Sequence, residues 1–161
     1  MDVFLRRLEK NDAYVSYKWR NDPEVFKYTG TVYDHEITLE TELHWIERVI
    51  KNENEYRCAI IAEDCYVGNI YLTNIDEEKA EYHIFIGEKS YWGKGVAQKA
   101  SIEIIRYGFE YLNLKKIVLE VHLQNNTAIH LYEKLGFTRL GENSNFITME
   151  IVKDKYNELY G

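Results

Sequence analysis

"SYWGKGVAQKA", residues 90–100, lies between a strand-like apolar run and a segment with helical periodicity. A helix that begins directly after such a loop leaves its first backbone N–H groups without intrahelical partners. These donors and the helix dipole attract phosphate oxygens, and Gly93 and Gly95 let the backbone approach an anion closely. The segment therefore predicts a phosphate-binding strand, loop and helix, although a tight turn alone would also explain the two glycines. Positive charge nearby comes from Lys89, Lys94 and Lys99.

The periodicity around this loop predicts a mixed α/β (α+β) fold. Before the loop, three runs rich in branched and aromatic residues predict antiparallel strands: YRCAIIAE, CYVGNIYLTNI and AEYHIFIG. After the loop we expect a helix over residues 94–112, a strand KKIVLEVHL, a helix NTAIHLYEKL and a hairpin FTRLGENSNFITMEIV. Residues 81–123 thus predict one parallel crossover in a mostly antiparallel sheet, with helices on both faces. Toward the N-terminus, DVFLRRL predicts a strand, and helices are expected over NDAYVSYKWR, from Pro23, and over TLETELHWIERVIK.

Composition limits the classes of function. The 161 residues, 45% hydrophobic and 29% charged, suit one domain covering residues 1–161. A net charge of −7 and a pI of about 5.3 give no reason to expect nucleic acid or an anionic membrane as a partner. The apolar runs are too short for a membrane span or a signal peptide, so we expect a cytoplasmic protein. Cys58 and Cys65 are expected to be reduced, and the five histidines lack the spacing of a metal site.

A second segment, VHLQNNTAIHLYEKLGF (residues 121–137), has the pattern of a short amphipathic helix. Asn125 or Asn126 can cap its start, and Gly136 can end it in a left-handed conformation. Tyr132 falls on the apolar side of this helix and is expected to be buried, so its hydroxyl needs a partner inside the fold. The other residues at that spacing are Ala128, Leu131 and Leu135.

Together, YWGKGVAQKA and NNTAIHLYEKLGF resemble, in order and spacing, the two signature segments of the GNAT superfamily of acyl-CoA N-acyltransferases. The N-terminal LRRLEKNDAYVSYKWRNDPEV resembles the Rim-type branch, which includes N-terminal acetyltransferases of ribosomal proteins and amino-sugar acetyltransferases. The resemblance implies a sheet whose parallel strand pair splays around acetyl-CoA, the cosubstrate. It also implies acetyl transfer to a primary amine without a metal.

The resemblance further implies which residues hold acetyl-CoA. Its pyrophosphate loop corresponds to Trp92, Gly93, Lys94, Gly95, Val96, Ala97 and Gln98. The family often has Arg or Gln in place of Trp92, which shifts anion binding toward backbone N–H groups and Lys94. On the second segment, the cofactor-side residues are Asn125, Ala128 and Tyr132, and Tyr132 is expected near the thioester sulfur. A backbone N–H at the bulged end of the strand YHIFI, near Phe85 or Ile86, is expected to polarise the acetyl carbonyl.

Amine acetylation needs a neutral nitrogen lone pair and a proton donor for the leaving thiolate. Tyr132 is the expected donor, because a phenol with an ordinary pKa of about 10 stays protonated at neutral pH. Glu81 and Glu120 are alternative candidates for the base, and a solvated strand carboxylate is the competing explanation for each. Strand alternation places His83 on the face of Glu81 and His122 on the face of Glu120, so both histidines are further candidates.

The resemblance to the Rim-type branch implies an acceptor pocket near the end of the first helix. Arg20 lies there and suits bidentate binding of a phosphate or carboxylate unless it forms a salt bridge. The expected lining residues are Trp19, Arg20, Asn21 and Tyr28, with Tyr33 and Trp45 as further aromatic candidates. The segment KWRND resembles the amino-sugar acetyltransferases more than the ribosomal enzymes, which implies a small-molecule amine such as a nucleotide-linked amino sugar as the acceptor. The alternative acceptor is the N-terminus of a ribosomal protein, whose basic tail an acidic enzyme would attract.

The alternative from another class of protein is a non-catalytic acyl-CoA sensor. The sequence is also compatible with a homodimer formed through the final hairpin.

Overall fold

The computed structural model describes residues 1–28 and 35–161. The strands are β1 (Val3–Arg7), β2 (Tyr56–Ala62), β3 (Cys65–Thr73), β4 (Lys79–Ile86), β5 (Lys116–His122), β6 (Thr138–Glu142) and β7 (Phe146–Val152). The α-helices are α1 (Ala13–Arg20), α2 (Leu39–Val49), α3 (Val96–Arg106), α4 (Asn126–Leu135) and α5 (Lys153–Tyr160). Short 3₁₀ turns lie at Lys10–Asp12 and Lys89–Tyr91, and a π-helical turn follows α3 at Tyr107–Tyr111.

One seven-stranded sheet runs in the order β1-β2-β3-β4-β5-β7-β6. Neighbouring strands are antiparallel except β4 and β5, which are parallel and are joined through α3. The mixed α/β fold with one parallel pair is therefore confirmed. Pairing between β4 and β5 covers only Lys79–Glu81 and Lys116–Val118. Beyond these residues the two strands separate, which leaves a gap in the middle of the sheet.

Helices cover both faces of the sheet. On the first face, α3, α4 and α5 pack on the larger core through side chains such as Ile104, Tyr132 and Tyr156. On the second face, α1 and α2 pack on a smaller core through Ala13 and Ile46. We call these the α3 face and the α2 face. None of the helices within the described ranges is long and apolar enough to cross a membrane.

Two local predictions need correction. The predicted helix from Pro23 is wrong, because residues 23–28 form turns. The Asp22 carboxylate accepts a hydrogen bond from the Glu24 N–H at 3.0 Å, and the Asp22 carbonyl accepts one from the Val25 N–H at 3.1 Å. These bonds give the chain a local alternative to helical bonding. The helix predicted over residues 94–112 is shorter at both ends, since α3 begins after Gly95 and gives way to the π-helical turn.

Candidate active site

The gap between β4 and β5 opens into a cavity of about 1080 Å³. The diverging ends of both strands, the loop before α3 and one side of α4 form the walls near the gap. Residues of α2, β2, β3 and the turn after α1 extend the walls on the α2 face. The cavity therefore connects the predicted phosphate loop with the region predicted to hold the acceptor.

The β4 backbone presents hydrogen-bonding groups to this gap. The Gly87 N–H donates to the Val67 carbonyl at 2.8 Å, so position 87 bonds toward β3. Antiparallel pairs alternate between bonded and non-bonded, so the even-numbered residues of β4 point their backbone groups away from β3. The N–H and C=O groups of Ile84 and Ile86 therefore face the gap. In agreement, Trp92 Nε1 donates to the Ile86 carbonyl at 2.9 Å.

The bulge predicted at the end of β4 is absent from the register. Pairing between β3 and β4 is continuous from Glu81 to Ile86, and the nearest register shift lies between Ile60 and Ile61 on β2. The splay of β4 from β5 frees the backbone groups without a bulge. Of the two positions predicted for the carbonyl-polarising N–H, the alternation favours Ile86, because Phe85 bonds toward β3.

The start of α3 has the geometry of an anion site. Gly93 and Gly95 have φ angles of 73° and 80°, in the left-handed region that favours glycine. A Cβ at either position would meet no atom within 4 Å, so the space beside the loop is open. The helical bonding begins with the Lys99 N–H donating to the Gly95 carbonyl at 3.2 Å. The N–H groups of Val96, Ala97 and Gln98 are therefore available to an anion.

The lysines near this loop contribute less charge than the sequence predicts. Lys89 forms ion pairs of 2.8 Å with Asp22 and 2.9 Å with Glu24. Lys99 Nζ donates to the Met1 carbonyl at 2.7 Å. Lys94 lies outside the cavity walls with its Nζ 5.7 Å from the centre of the Tyr91 ring. The capacity of the loop for anions therefore comes from its backbone N–H groups and from Lys94.

Helix α4 forms the opposite wall of the gap. Asn125 Oδ1 accepts a hydrogen bond from the Ala128 N–H at 3.3 Å, which resolves the choice of capping asparagine, and Gly136 ends the helix at φ 113°. Tyr132 is 8% exposed, lines the cavity and meets the Tyr82 ring edge-on at 5.6 Å. Burial raises the pKa of Tyr132 to about 12, and the proximity of the Tyr82 hydroxyl opposes part of that rise. The phenol therefore keeps its proton at neutral pH.

On the α2 face, a row of side chains crosses the sheet toward the gap. Arg57 on β2 lies opposite Tyr71 on β3, which lies opposite His83 on β4. The Arg57 guanidinium carbon is 4.2 Å from the Tyr71 ring centre and 5.0 Å from the Trp45 ring centre. Arg57 Nε donates to Glu55 Oε1 at 2.6 Å. All five residues line the cavity.

The two candidate carboxylates lie on this same face, on either side of the gap. Their neighbours Tyr82 and Leu119 belong to the core of the α3 face, so Glu81 and Glu120 point to the α2 face. Glu81 Oε2 accepts from Asn74 Nδ2 at 3.0 Å. Glu120 is exposed and has neither a hydrogen bond nor an ion pair with any residue in the described ranges. Both carboxylates line the cavity.

His122 follows Glu120 on the same side of β5. Its Nδ1 accepts a hydrogen bond from the Gln124 N–H at 3.1 Å. The ring lies between two aromatic rings, with centroid distances of 5.4 Å to Tyr28 and 5.5 Å to Phe146. The backbone donor places the proton of a neutral His122 on Nε2.

Trp19 and Asn21, predicted to line the acceptor pocket, do not line this cavity. Trp19 is 4% exposed, and its Nε1 donates to Glu88 Oε1 at 3.0 Å. Asn21 bonds both backbone groups of Ile37 at 2.8 Å and so ties the end of α1 to the segment before α2. Both residues support the walls from behind.

Arg20, Tyr28 and Trp45 do line the cavity, whereas Tyr33 lies outside the described residues. The Arg20 side chain is 12% exposed, and its Nε forms a 3.2 Å ion pair with Glu42 Oε2. The Arg20 guanidinium carbon lies 4.4 Å from the Trp45 ring centre. Trp45 therefore contacts the guanidinium groups of both arginines in the wall.

Sequence reasoning missed Arg57 and Tyr71 as wall residues. Strand alternation assigns each of them a face, and the pairing of β2 with β3 and of β3 with β4 then aligns them with His83. The alternation is visible in the sequence, but only the observed strand order shows that Arg57 and Tyr71 align with His83.

A gap between parallel strands, a helix start open to phosphate and a protonated phenol define an acyl-CoA-dependent transferase. The chain belongs to the acetyltransferase (GNAT) domain family, whose pattern its residues 2–138 match. It is 34% identical over 143 residues to the spermidine N(1)-acetyltransferase of Escherichia coli (strain K12), which covers 87% of this chain and 75% of the relative. It is 26% identical over 139 residues to the acetyltransferase PseH of Campylobacter jejuni, covering 86% of this chain and 85% of that one.

Similarity to a solved structure supports the same family. The spermidine N-acetyltransferase from Vibrio cholerae in complex with CoA and spermine superimposes with a TM-score of 0.86 at 27% identity, covering 96% of this chain and 98% of the other. The protein is therefore an acetyl-CoA-dependent N-acetyltransferase, and acetyl-CoA is its cosubstrate. The GNAT resemblance is confirmed, while placement in the Rim-type branch stays a prediction. The sensor alternative is not retained.

Proposed function

We propose that the acceptor is a small aliphatic amine with more than one positive charge, of the polyamine class that includes spermidine. The observation that carries this proposal is the pair of carboxylates, Glu81 and Glu120, that face the cavity from the two sides of the gap. An aliphatic primary amine has a pKa of about 10 and enters as an ammonium ion. Two carboxylates therefore attract the reacting ammonium and a second charge behind it.

The other charges of the wall support a cationic acceptor. Arg20 is paired with Glu42, and Arg57 is paired with Glu55. Lys27, whose Nζ lies 5.2 Å from the centre of the Tyr28 ring, is the wall cation without an ion pair among the described residues. Glu81, which lies 3.9 Å from His83 Nε2, and Glu120 have no lysine or arginine partner among the described residues. These two carboxylates outnumber Lys27, so the acceptor side of the cavity has a net negative charge.

The comparisons support the same class. A relative at 34% identity is named a spermidine N(1)-acetyltransferase, and the similar structure from Vibrio cholerae binds CoA and spermine. Spermidine and spermine are ligands of those relatives, and the carboxylate pair supports the proposal of the same acceptor class for this chain.

The site residues take the following proposed roles. Residues 92–98 and the start of α3 hold the pyrophosphate through backbone N–H groups, with Asn125 and Ala128 flanking the pantetheine arm. Bound acetyl-CoA supplies an acetyl group activated as a thioester. The Ile86 N–H polarises the acetyl carbonyl, and Tyr132 gives its proton to the leaving thiolate.

Phe85 was predicted to contact the cosubstrate together with Ile86. Its side chain points to the α2 face and lies 5.0 Å from the Phe26 ring centre. We therefore place Phe85 in the acceptor wall, where Arg20 and Tyr28 also lie. Trp19 and Asn21 act indirectly, by holding the elements that form this wall.

A nucleotide-linked amino sugar is the second candidate acceptor, and one observation favours it. The two terminal nitrogens of Arg57 have no hydrogen-bond partner in the described part of the chain, although the side chain is only 12% exposed. A phosphate of the acceptor would give them one, and the Trp45 ring offers a surface for an apolar group.

Two broader predictions, the domain organisation and the oligomeric state, remain proposals. We propose that residues 1–161 act as one N-acetyltransferase domain, since all seven strands belong to one sheet. A homodimer would use β6, which forms an edge of the sheet and has all five residues exposed.

Thiol release from acetyl-CoA tests the acceptor class. The panel contains spermidine, spermine, an amino-sugar nucleotide and a basic N-terminal peptide. We expect release with the polyamines, with a KM that rises as salt is added. Glu120→Gln is expected to raise the KM for spermidine by about 5-fold, since an unpaired charge near a ligand charge contributes on the order of 1 kcal/mol. Glu158→Gln, on the exposed side of α5, is the matched control. Selective release with the nucleotide or with the peptide would overturn the polyamine proposal.

A further inference from the structure

The structure assigns to His83 the removal of the proton from the acceptor ammonium, while Glu81 and Glu120 hold that ammonium beside it. This inference rests on the proposed function, because it requires the acceptor to enter the cavity as a cation. It also replaces a carboxylate base, the first expectation from the sequence, with an imidazole.

The position of His83 suits this role. His83 is the last residue of the row Arg57, Tyr71, His83 that crosses β2, β3 and β4, and β4 borders the gap. Its side chain lines the cavity and is 52% exposed. Ile84 and Ile86, whose backbone groups face the gap, lie within three residues on the same strand. Three residues of a strand span about 10 Å, so an amine that lies between the His83 ring and the Ile86 N–H can exchange a proton with the ring directly or through one water.

One hydrogen bond fixes the ring and still leaves a proton site. His83 Nε2 lies 3.0 Å from Thr73 Oγ1. The threonine hydroxyl can accept from an Nε2–H, and Nδ1 then carries the free lone pair. Nδ1 has no hydrogen-bond partner among residues 1–28 and 35–161. After the transfer, the imidazolium keeps its bond to Thr73.

The surrounding charges suit a base that is neutral before the transfer and stabilised after it. The cavity walls remove part of the hydration of His83 and lower its pKa, and Arg57 on β2 acts in the same direction. The charges of Glu81, Glu55 and Glu120 oppose this shift. His83 is therefore neutral at pH 7, while three carboxylates stand close enough to stabilise the imidazolium.

His122, the other histidine in the cavity wall, does not offer the same chemistry. Its Nδ1 lone pair already accepts the Gln124 N–H at 3.1 Å, so its Nε2 carries a proton when the ring is neutral. His122 can donate to the acceptor but has no free lone pair to take a proton. The hydrogen bonds therefore distinguish His83, which has a free lone pair, from His122, which has none, although the sequence offered both as candidates for the base.

The proton transfer balances without a further reactant. One N–H bond of the ammonium breaks, a new N–H bond forms at His83 Nδ1, and the amine nitrogen keeps the electron pair with which it attacks the thioester. The proton on His83 passes to solvent through the cavity before the next turnover. Tyr132 supplies the separate proton that the thiolate receives.

The first test is the pH dependence of kcat/KM for the amine that the wild-type enzyme acetylates. The wild-type profile is expected to fall at acid pH with a midpoint below 6.5, as His83 becomes protonated. His83→Gln keeps a side chain that can bond to Thr73 but cannot take a proton. It is expected to lose about 10² to 10⁴-fold in activity, and its remaining activity should rise tenfold per pH unit, with the free amine in solution. His130→Gln, on the exposed side of α4, should retain the wild-type profile.

The second test needs neither acetyl-CoA nor turnover. The ring resonances of His83 are followed by NMR against pH in the wild-type protein, with spermidine as the probe. We expect a titration midpoint below 6.5, and a lower one when the cation binds beside the ring. A midpoint above 6.5, or one that spermidine leaves unchanged, would overturn the inference even if His83→Gln failed to fold. A variant with wild-type activity and an unchanged acid limb would also overturn it.

The outcomes of these tests distinguish the proposed acceptor class from the proposed role of His83. If the wild-type enzyme acetylates none of the polyamines, the proposed acceptor class fails. If it acetylates them and His83→Gln behaves as wild type, the acceptor class stands and only the role of His83 fails.

Discussion

Gly95→Ala should weaken CoA binding and destabilise the fold through the backbone alone. Gly95 caps α3 at φ 80°, and a Cβ there would meet no atom within 4 Å, so a steric clash contributes nothing. The left-handed conformation costs an alanine about 1–2 kcal/mol. The less flexible unfolded chain offsets about 0.4–1 kcal/mol of this. The net loss is therefore about 1 kcal/mol, or about 2–4 °C in Tm for a chain of this size.

Gly141→Ala is the matched control, since it adds the same methyl group in open space at a residue without a positive φ. The unfolded-state contribution is similar in both variants, so their difference isolates the strain of about 1–2 kcal/mol, which corresponds to about 2–8 °C in Tm. Thermal unfolding gives the stabilities, and a calorimetric titration with CoA gives the affinities. Gly95→Ala should also bind CoA more weakly, because relieving the strain moves the N–H groups at the start of α3. Equal Tm values and equal CoA affinities in the two variants would refute the reasoning.

Two further predictions concern Tyr132 and Gly87. Tyr132→Phe should keep CoA affinity within about twofold but lose about 10²-fold in kcat, measured by thiol release, and unchanged turnover would remove Tyr132 as the proton donor. The same variant should lose less stability than the wild type between pH 10 and 12. The folded phenol has a pKa of about 12, so its contribution to stability is fully present below pH 10 and is lost progressively as the pH rises to 12. Urea unfolding at pH 9 and 11 should show a difference of about 1.4 kcal/mol between the two proteins in this loss. Gly87→Ala would place a Cβ 2.0 Å from the buried Trp19 ring and should lower stability by about 1–3 kcal/mol in the same assay, and a wild-type value would contradict the tight packing of this contact.

Local signals made the cosubstrate half of the site predictable. Glycines that need a left-handed backbone, an asparagine at a helix start and a tyrosine on an apolar stripe are each properties of a short segment. Gly95, Asn125 and Tyr132 therefore have the conformation, cap and burial that their neighbours in sequence predict.

The acceptor half depends on contacts that cross the sheet. Lys89 meets Asp22 and Glu24 through the turn after α1, so its charge is not available to the loop that it precedes. Asp22 also forms that turn in place of the expected helix. The row from Arg57 to His83 exists only because β2, β3 and β4 are adjacent, and a single segment holds no trace of this order.

Helix α5 is a third place where the structure differs from the prediction made from the sequence. Helix α5 was not predicted, because KDKYNELY is mostly polar and lacks a continuous apolar stripe. Tyr156 is its buried residue, and the Tyr156 ring stacks on Phe109 at 4.9 Å. The Tyr160 hydroxyl also donates to the Leu135 carbonyl at 2.7 Å. A few contacts of two tyrosines, rather than a periodic pattern, therefore fix this helix against its neighbours.

All the proposed roles depend on CoA binding in the gap between β4 and β5. The most direct measurement is a titration of the ¹⁵N-labelled protein with CoA, followed through the backbone amide shifts. We expect the largest changes at Ile84, Ile86 and residues 96–98, where the free N–H groups meet the pantetheine arm and the pyrophosphate. Changes confined to residues away from the gap, or binding that leaves these amides unshifted, would contradict this expectation.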